Sequence, residues 1–580
     1  MNLAVVRRIA CLIVGLGWGA PVRSAEALTA DHPIAIRLGH EPGTAVIAQQ
    51  RGGVLIVVDY ERGTVLRTLG RFTTLTAFDA LAPDQLLVAA DDPPRLAIVS
   101  AASGSATARD IVWPERPTAV RVSAGGDQVA ILHREARSVA CLATKTLHAD
   151  SLDRSLIRTV KLPFQPGVCL WLKDERHLLV ADAYGGRLAV IETLTGQVAS
   201  ARTIPGHNIT GLALAPAGDR VYLTQQILHG GTSTTYDDIH WGQALTNVVR
   251  ILAVADLMHP TADLAADDIV LRLGETGRAT GDPAALVLRD DGMLVVALAG
   301  VNELAVDRGT GLEWKRVAVG ARPTAVTLTH DGQRALVANT LDNTLSVVRL
   351  ANMGVVGRTI SLGPTPARTA ADRGERLFFD ARLSHDGWMS CHSCHPGGHT
   401  NGQVVDNFSD GTDYTAKRVL SLRGVRETAP YAWDGRFPTL AEQVRHSVTS
   451  TMQGDPISEE QVHDLVAFLE TLSAPKRVRD ESDPALIAAG KAVFERHACG
   501  QCHAGPTYTT PATYDVGLAD ERGQRLFNPP SLRGVNFADR FLHDARVDQL
   551  EDVFLVQQHQ LFTPLKDAER RGLIAFLRSL

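Results

Sequence analysis

Two short cysteine motifs constrain this chain more than any other feature of its sequence. Cys391-His392-Ser393-Cys394-His395 is repeated as Cys499-Gly500-Gln501-Cys502-His503. Two cysteines three positions apart can form thioethers with both vinyl groups of one haem, while the histidine that follows ligates its iron. We therefore predict two covalently bound c-type haems, with His395 and His503 as the proximal ligands. The alternative for such thiol pairs is structural zinc or a disulfide.

The N-terminal end of the chain predicts export. Arg7 and Arg8 precede an apolar run, residues 9–20, that is too short to span a bilayer, and Ala25-Glu26-Ala27 supplies a small-x-small cleavage site. We interpret residues 1–27 as a signal peptide. Because no later stretch is apolar for long enough to cross a membrane, we expect a periplasmic protein without a membrane span. Haem attachment agrees, since c-type haems are attached on that side of the membrane.

Length, charge and cysteine content narrow the class of protein further. A chain of 580 residues exceeds what one core usually supports, so two or three domains are expected. The formal net charge of −6 gives no sign of nucleic-acid binding. Outside the haem motifs and the signal peptide, the cysteines are Cys141 and Cys169, both in strand-like apolar runs. They form either a disulfide between neighbouring structural units or two buried free thiols.

Residues 35–350 repeat one pattern of short apolar strands and polar turns. Residues 117–123, followed by Gly125-Gly126-Asp127, match residues 323–329, followed by Asp331-Gly332. A period of about 40–50 residues without helical periodicity is typical of propeller blades, and six or seven copies predict a seven-bladed, all-β propeller. The segment Leu341-Asp342-Asn343-Thr344-Leu345-Ser346-Val347-Val348 resembles the strand-closing segment of YVTN-type propellers. A large β-sandwich is the alternative, but it does not explain a regular repeat.

One interval in the repeat array is longer than the others. Residues 225–250 insert a Ser/Thr cluster together with His229, Tyr236, His240 and Trp241 between blades. An insertion in a repeat protein usually lies on one face, which is often the binding face. We expect either that this segment meets the haem domains or that it is a solvated loop with incidental histidines.

After a linker at residues 351–366, the sequence pattern becomes helical. We predict two all-α, cytochrome c-like domains, residues 367–473 around the first haem and 484–580 around the second. Three pairs of segments correspond between them: 419–425 with 529–535, 431–436 with 541–546, and 465–472 with 573–580. The two domains are therefore predicted to be an internal duplication. A capping box is expected where Ser458 precedes Gln461 by three residues.

The region around the first haem motif resembles a known family. The chain reads Leu377-Phe378-Phe379-Asp380-Ala381-Arg382-Leu383-Ser384 before the motif and Trp433-Asp434-Gly435-Arg436, followed by Gln443, after it. With these motifs, residues 367–580 resemble the bacterial dihaem cytochrome c peroxidases and the related methylamine-dehydrogenase maturation enzymes. The resemblance implies an oxidoreductase in which a redox partner, a cytochrome c or a cupredoxin, reduces the second haem. Electrons then reach the first haem, where hydrogen peroxide is reduced.

The same resemblance implies roles for individual residues. Trp433 corresponds to the tryptophan that passes electrons between the two haems, and Gln443 lies in the catalytic motif. The ligand opposite each proximal histidine decides whether its iron is open to a substrate.

For the first haem, Met452 lies at a distance from the preceding helix that could return it to the iron, although core packing is the commoner fate of a methionine. His446 is the second candidate, whereas His399 follows His395 too closely to reach the opposite face easily. For the second haem we predict His559, which lies where the family places its distal ligand. His543 is the alternative and is otherwise expected near a haem propionate.

Several positions depart from the family pattern. Gln453 stands where the family has a glutamate that moves protons during O–O cleavage, and Asp410-Gly411-Thr412 occupies the region of its distal histidine. Ala538-Asp539-Arg540 replaces the segment expected at the interdomain calcium site, so we expect no calcium bound as in the family. Two alternatives to a peroxidase stay open. One is a non-catalytic electron-transfer cytochrome, and the other is an oxidase of a protein or small-molecule substrate docked by the propeller.

Overall fold

Seven antiparallel sheets of four strands each form the N-terminal part of the chain. The computed structural model describes residues 31–101, 108–149, 151–351, 355–475 and 483–580, so the predicted signal peptide lies outside the described residues. Within every sheet the strands follow chain order, which makes each sheet one blade built from contiguous sequence. The predicted seven-bladed propeller is confirmed, and the β-sandwich alternative is wrong.

The blades succeed one another along the chain with little sequence between them. Blade 1 contains β1 Asp31–Leu38, β2 Thr44–Arg51, β3 Val54–Asp59 and β4 Thr64–Arg71; blade 2 contains β5 Leu75–Ala82, β6 Gln85–Ala90, β7 Arg95–Ser100 and β8 Ala108–Val112. Blade 3 contains β9 Ala119–Val122, β10 Gln128–His133, β11 Ser138–Ala143 and β12 Arg158–Lys161; blade 4 contains β13 Pro166–Trp171, β14 His177–Asp182, β15 Arg187–Glu192 and β16 Gln197–Thr203. Blade 5 contains β17 His207–Leu214, β18 Arg220–Leu228, β19 Leu245–Ala253 and β20 Ile269–Arg272. Blade 6 contains β21 Pro283–Leu288, β22 Leu294–Leu298, β23 Glu303–Asp307 and β24 Lys315–Ala318; blade 7 contains β25 Pro323–Leu328, β26 Arg334–Asn339, β27 Thr344–Arg349 and β28 Val355–Ser361. Three short helices lie among these strands: α1 Thr144–His148, α2 Tyr236–His240 and α3 Val254–Met258.

The middle strands of the blades are apolar on both faces because each blade is packed between two others. All six residues of β3 and all five of β22 are buried. The ring closes by side-chain packing, since Ile47 and Ile56 of blade 1 share a cluster with Leu336 and Leu345 of blade 7. Cys141 and Cys169 lie in one cluster formed by blades 3 and 4, and both thiols are free. Burial raises the pKa of each thiol to about 12.

The long insertion lies inside blade 5, and its placement between blades was wrong. It lengthens the hairpin of β18 and β19 and carries a short helix at its tip, Tyr236–His240. The repeat pattern missed this because the two strands themselves grow to nine residues each. The tip contacts the haem-binding part, where Ser233 forms a parallel bridge with Asp406 and the Thr234 N–H donates to the Asp406 carbonyl. This agrees with the expectation that the insertion meets the haem domains.

The C-terminal part is helical, as predicted. Its first half contains α4 Ala370–Phe378, α5 Cys391–Cys394, α6 Leu440–His446, the π-helical turn Ser447–Thr451 and α7 Glu459–Thr471; its second half contains α8 Pro484–Arg496, the 3₁₀ turn Cys499–Gln501, α9 Leu550–Leu555 and α10 Asp567–Arg578. Two short strand pairs complete it: β29 Val404–Val405 with β30 Lys417–Arg418, and β31 Tyr514–Asp515 with β32 Leu526–Phe527. In α7 the expected capping box is present, because Ser458 Oγ accepts from the Gln461 N–H at 3.2 Å. No helix within the described ranges is long and apolar enough to cross a membrane.

Both halves depend on a glycine where their first and last helices cross. A Cβ added to Gly374 of α4 would lie 1.8 Å from the Asp464 carbonyl oxygen of α7. A Cβ added to Gly490 of α8 would lie 1.8 Å from the Gly572 carbonyl oxygen of α10. The two crossings are equivalent, which supports the predicted duplication.

One face of the propeller is covered by the helical part. Arg376 of α4 donates to the Leu341 carbonyl at 2.6 Å, and Gln165 of blade 4 donates to the Phe537 carbonyl at 3.0 Å. Asp539, which falls in the segment that departs from the family's calcium site, pairs with Arg137 at 2.9 Å and also with Arg187. Both halves of the helical part are therefore held against the same propeller.

We expect Gly374→Ala to destabilise the first haem domain, because its methyl group must displace backbone of α7. Overpacking of this kind costs about 1–3 kcal/mol, which outweighs the gain in helix propensity from alanine. Thermal unfolding of the haem-loaded chain, followed by circular dichroism, measures the change. Gly231→Ala is the control, since no atom lies within 4 Å of its added Cβ. Equal melting temperatures for the two variants would contradict a close crossing.

Candidate dihaem site

A continuous cavity of about 480 Å³ reaches both C-x-x-C-H motifs. Most of the side chains around it are apolar, and it extends from the first half of the helical part into the second. All six predicted attachment residues line it: Cys391, Cys394, His395, Cys499, Cys502 and His503. A largely apolar cavity with paired thiols and a histidine at each end fits two haem groups.

The two proximal histidines are oriented in the same way. His395 Nδ1 lies 3.3 Å from the His399 carbonyl oxygen, and His503 Nδ1 lies 3.1 Å from the Tyr508 carbonyl oxygen. An imidazole that donates its Nδ1 proton to a backbone carbonyl keeps its Nε2 lone pair for a metal. Burial lowers the pKa of both histidines to about 4, so each is neutral near pH 7, as a ligand must be. These contacts fit iron ligation at both sites.

The first haem motif is anchored by side chains of the propeller. Asp282, which precedes β21, accepts hydrogen bonds from Ser390 Oγ and, at 2.7 Å, from Ser393 Oγ. Gln226 of blade 5 donates to the same Ser393 hydroxyl at 3.1 Å, and His207 Nε2 lies 2.9 Å from the Ser393 carbonyl oxygen. Burial raises the pKa of the Asp282 carboxyl. Sequence reasoning missed Asp282, since its partners lie more than 100 residues away.

Met452 lies on the cavity close to Cys391 of the first haem motif, where its sulfur could be a ligand. It is buried, lines the cavity and directly follows the π-helical turn, a feature that is frequent at functional sites. His446, the second candidate, lies outside the cavity lining, with Nε2 3.1 Å from the Phe408 carbonyl oxygen. His399 lines the cavity, but its ring nitrogens lie 2.9 Å from Ser421 Oγ and 3.3 Å from the Phe537 carbonyl oxygen. The placement therefore favours Met452 among the three.

His559 is placed on the cavity near the second motif. Its Nδ1 is buried without a hydrogen-bond partner among the described residues. His543 also lines the cavity, but its ring stacks on Phe527 with centroids 4.2 Å apart. His543 Nε2 is likewise buried without a hydrogen-bond partner in the described part of the chain, so His559 stays the predicted distal ligand with His543 as the alternative.

Trp433 lies at the boundary between the two haem domains. Its indole N–H donates to the Arg418 carbonyl at 2.8 Å, and its ring meets His543 of the second domain edge-on at 6.4 Å. The backbone hydrogen bonds between the two domains are reciprocal. The Asn528 N–H of the second domain donates to the Trp433 carbonyl at 2.7 Å, and the Arg418 N–H of the first domain donates to the His543 carbonyl at 2.6 Å. Trp433 and His543 are equivalent residues of the duplication, and its two-fold arrangement brings them into contact.

Gln443 and Gln453, the two residues expected in the family's acid–base motif, carry amides. Gln443 lines the cavity and donates to Ser447 Oγ at 3.1 Å. Gln453 lies outside the lining and donates to the carbonyls of Thr234 and Ser450, both at 2.7 Å. Among the described residues that line the cavity, Asp515 of the second domain is the one with a carboxylate side chain. The position that carries the family's glutamate is therefore turned toward the propeller.

Lys417 links the two haem domains, a role that the sequence analysis did not identify. Its buried ammonium lies 3.1 Å from Asp410 and 3.1 Å from Asp520 of the second domain. The carboxylate of Asp410, in the segment that replaces the family's distal histidine, is thus committed to an ion pair. No motif could have identified this contact, because Asp520 follows Lys417 by 103 residues.

Comparisons with known proteins agree with the site. Residues 368–485 match the model of the family described as di-haem cytochrome c peroxidase. Methylamine utilization protein MauG of Methylophilus methylotrophus is 25% identical over 274 residues, 36% of this chain and 82% of that protein. Cytochrome c551 peroxidase of Nitrosomonas europaea is 25% identical over 311 residues, 43% of this chain and 92% of that protein. Among solved structures, Kuenenia stuttgartiensis hydrazine synthase covers 58% of this chain and 99% of its own at 18% identity, with a TM-score of 0.48, too low to support an inference.

Replacing Cys391 and Cys394 together by Ala should leave one haem per chain, held by the second motif, because no thioether can form at the first. Pyridine haemochrome assays together with the mass of the intact protein measure the haem content. Replacing Cys499 and Cys502 should leave one haem at the first motif. Cys141→Ala is the control and should retain both haems, and two haems in either double variant would contradict covalent attachment at these thiols.

Proposed function

Because the C-terminal part of this chain carries a di-haem cytochrome c peroxidase domain, we propose that the protein is a di-haem oxidoreductase. Peroxide is reduced at the site of His395 with electrons received at the site of His503. The observation that carries this proposal is the continuous cavity that joins both motifs, with Trp433 at the boundary between them. A cavity that reaches two metal ligand sets suits electron transfer between them.

The residues that would hold two haems are present in matching arrangements. His395 and His503 offer neutral imidazoles, and the four motif cysteines offer thiols on the cavity wall. When bound, haem c supplies a redox-active iron that exchanges single electrons and accepts a substrate oxygen where a coordination position is open.

Trp433 is suited to carry electrons between the sites. The hydrogen bond from its indole to the Arg418 carbonyl fixes the ring, and the Arg418 guanidinium lies 5.4 Å from the ring centroid. Its contact with His543 brings it against the second domain. A buried aromatic ring in van der Waals reach of both domains shortens the path that an electron must cross.

Peroxide chemistry at the first site depends on two residues. If Met452 ligates the haem iron, a substrate would bind there only after the methionine is displaced. The Gln443 amide can hydrogen-bond a peroxide, but it cannot supply or accept a proton near neutral pH, so protons for O–O cleavage come from water or a hydroxyl. We therefore expect a slow peroxidase compared with one that has a carboxylate in place of Gln453.

A second candidate is a non-catalytic electron-transfer cytochrome. Burial of Met452 on the cavity favours it, because a haem iron that both a methionine and a histidine would hold has no position open to a substrate. The Gln453 amide donates to the propeller at Thr234, which leaves no acid or base at that position to assist peroxide chemistry. In both cases we propose export to the periplasm by residues 1–27. We also propose reduction by a small redox protein of the cytochrome c or cupredoxin type.

Met452→Ala should open the first iron. Electron paramagnetic resonance of the oxidised variant should then show a high-spin ferric signal, and peroxide turnover should rise by about tenfold or more. Met293→Ala, a buried methionine of blade 6 that lies outside the cavity lining, controls for lost packing and should leave spin state and turnover unchanged. Unchanged spin state in Met452→Ala would show that Met452 is not the ligand.

Trp433→Phe should slow donor-dependent peroxide turnover by about tenfold or more, because phenylalanine is harder to oxidise and makes no hydrogen bond to Arg418. Haem content should stay at two per chain, which separates this effect from misfolding. Trp171→Phe in the propeller is the matched control. If the rate with Trp433→Phe equals that of the unmodified protein, the relay is wrong.

A further inference from the structure

Two histidines and an aspartate converge where the blade-5 insertion meets the first haem domain. His240 is at the end of the short helix in the insertion, and His385 and Asp386 precede the first haem motif. His240 Nδ1 lies 3.0 Å from His385 Nε2 and 3.2 Å from Asp386 Oδ2, and the latter two atoms are 3.5 Å apart. None of the three residues lines the haem cavity.

We propose that His240, His385 and Asp386 form a binding site for a divalent transition-metal ion, with zinc as the best match. A circle through three points separated by 3.0, 3.2 and 3.5 Å has a radius of about 1.9 Å, just below the bonds of about 2.0–2.2 Å that zinc forms with imidazole nitrogen and carboxylate oxygen. An ion slightly above this plane therefore reaches all three atoms at bonding distance. Two imidazoles and one carboxylate are a donor set that suits zinc and its neighbours in the first transition row.

Hydrogen bonding alone does not account for the triangle. A neutral imidazole has one N–H, and that proton can point along one edge only. If His240 donates to His385 Nε2, the lone pairs of that nitrogen and of Asp386 Oδ2 are left facing each other. A shared cation satisfies the three atoms together.

The surroundings hold the three ligands in place. Asp386 Oδ2 also accepts the Gly277 N–H at 2.9 Å, an outer contact of the kind that orients metal-binding carboxylates. Tyr236 stacks on His240 with centroids 5.8 Å apart and lies 4.4 Å from the ring of His385. The ligand side chains are 16–29% exposed, so an ion can enter from solvent.

Such an ion would join two parts of the chain that lie 145 residues apart. It would tie the propeller to the segment that leads into the first haem motif. The His385 N–H donates to the Met452 carbonyl at 3.0 Å, so the site also borders the turn that presents Met452. The proposal itself does not depend on the oxidoreductase function.

The test uses the purified, haem-loaded full-length protein after treatment with a chelator. Equilibrium dialysis against Zn²⁺, with zinc and iron measured by mass spectrometry, should give one zinc for every two iron atoms. His240→Asn and Asp386→Asn should each weaken Zn²⁺ binding by at least about tenfold. His463→Asn, an exposed histidine of α7, is the matched control and should bind as the unmodified protein does.

X-ray absorption at the zinc edge identifies the ligands without interference from haem iron. We expect nitrogen and oxygen neighbours at about 2.0–2.1 Å with the outer-shell pattern of imidazole. Haem content shows whether each variant has folded. Absence of stoichiometric zinc, or zinc binding that is the same in His240→Asn, Asp386→Asn and His463→Asn, would overturn the proposal. Stoichiometric Cu²⁺ binding lost in the same two variants would support the site.

Discussion

A buried carboxylate from the propeller holds the first haem motif, and the arrangement of the other domains follows from it. Asp282 accepts hydrogen bonds from Ser390 and Ser393, the serines on either side of Cys391. Burying a carboxylate costs free energy unless its oxygens accept hydrogen bonds. The two serine hydroxyls supply these bonds only when the motif is docked on the propeller, so the buried carboxylate favours the docked arrangement. Contacts from Gln226 and other residues of blade 5 add to it. The first haem site is therefore completed by a domain that does not itself carry a haem motif.

Duplication of the haem domain supplies two similar backbones with different side chains at equivalent places. Gly374 and Gly490 permit the same helix crossing, and the reciprocal hydrogen bonds of Trp433 and His543 preserve a two-fold relation between the halves. The chemistry is nevertheless asymmetric. Met452 lines the cavity in the first half and His559 lines it in the second, and the propeller anchors the first motif through its serines. Two motifs with unlike neighbouring residues on one cavity are consistent with the one-way electron transfer that we propose.

The propeller and the helical domains were predictable because both leave periodic marks on the sequence. Short apolar runs such as β3 and its counterparts, separated by polar turns and repeated at a regular period, indicate blades directly. The position of the insertion was not predictable in the same way, since the extra residues extend β18 and β19 and thereby hide the hairpin that they form. Periodicity also could not decide whether Cys141 and Cys169 are bridged, because two buried thiols and a disulfide occupy the same kind of apolar strand.

The sequence by itself determined the two haem motifs, the duplication and the candidates Met452 and His559, because covalent haem attachment and local periodicity depend on residues close together in the chain. The tertiary structure alone decided which side chains surround them. Asp282 meets Ser393, Lys417 meets Asp520, and His240 meets His385 across more than 100 residues each. No spacing relates such pairs, since their approach depends on how the helical domains dock on the propeller face. That docking is a matter of shape and burial, which a linear sequence does not display.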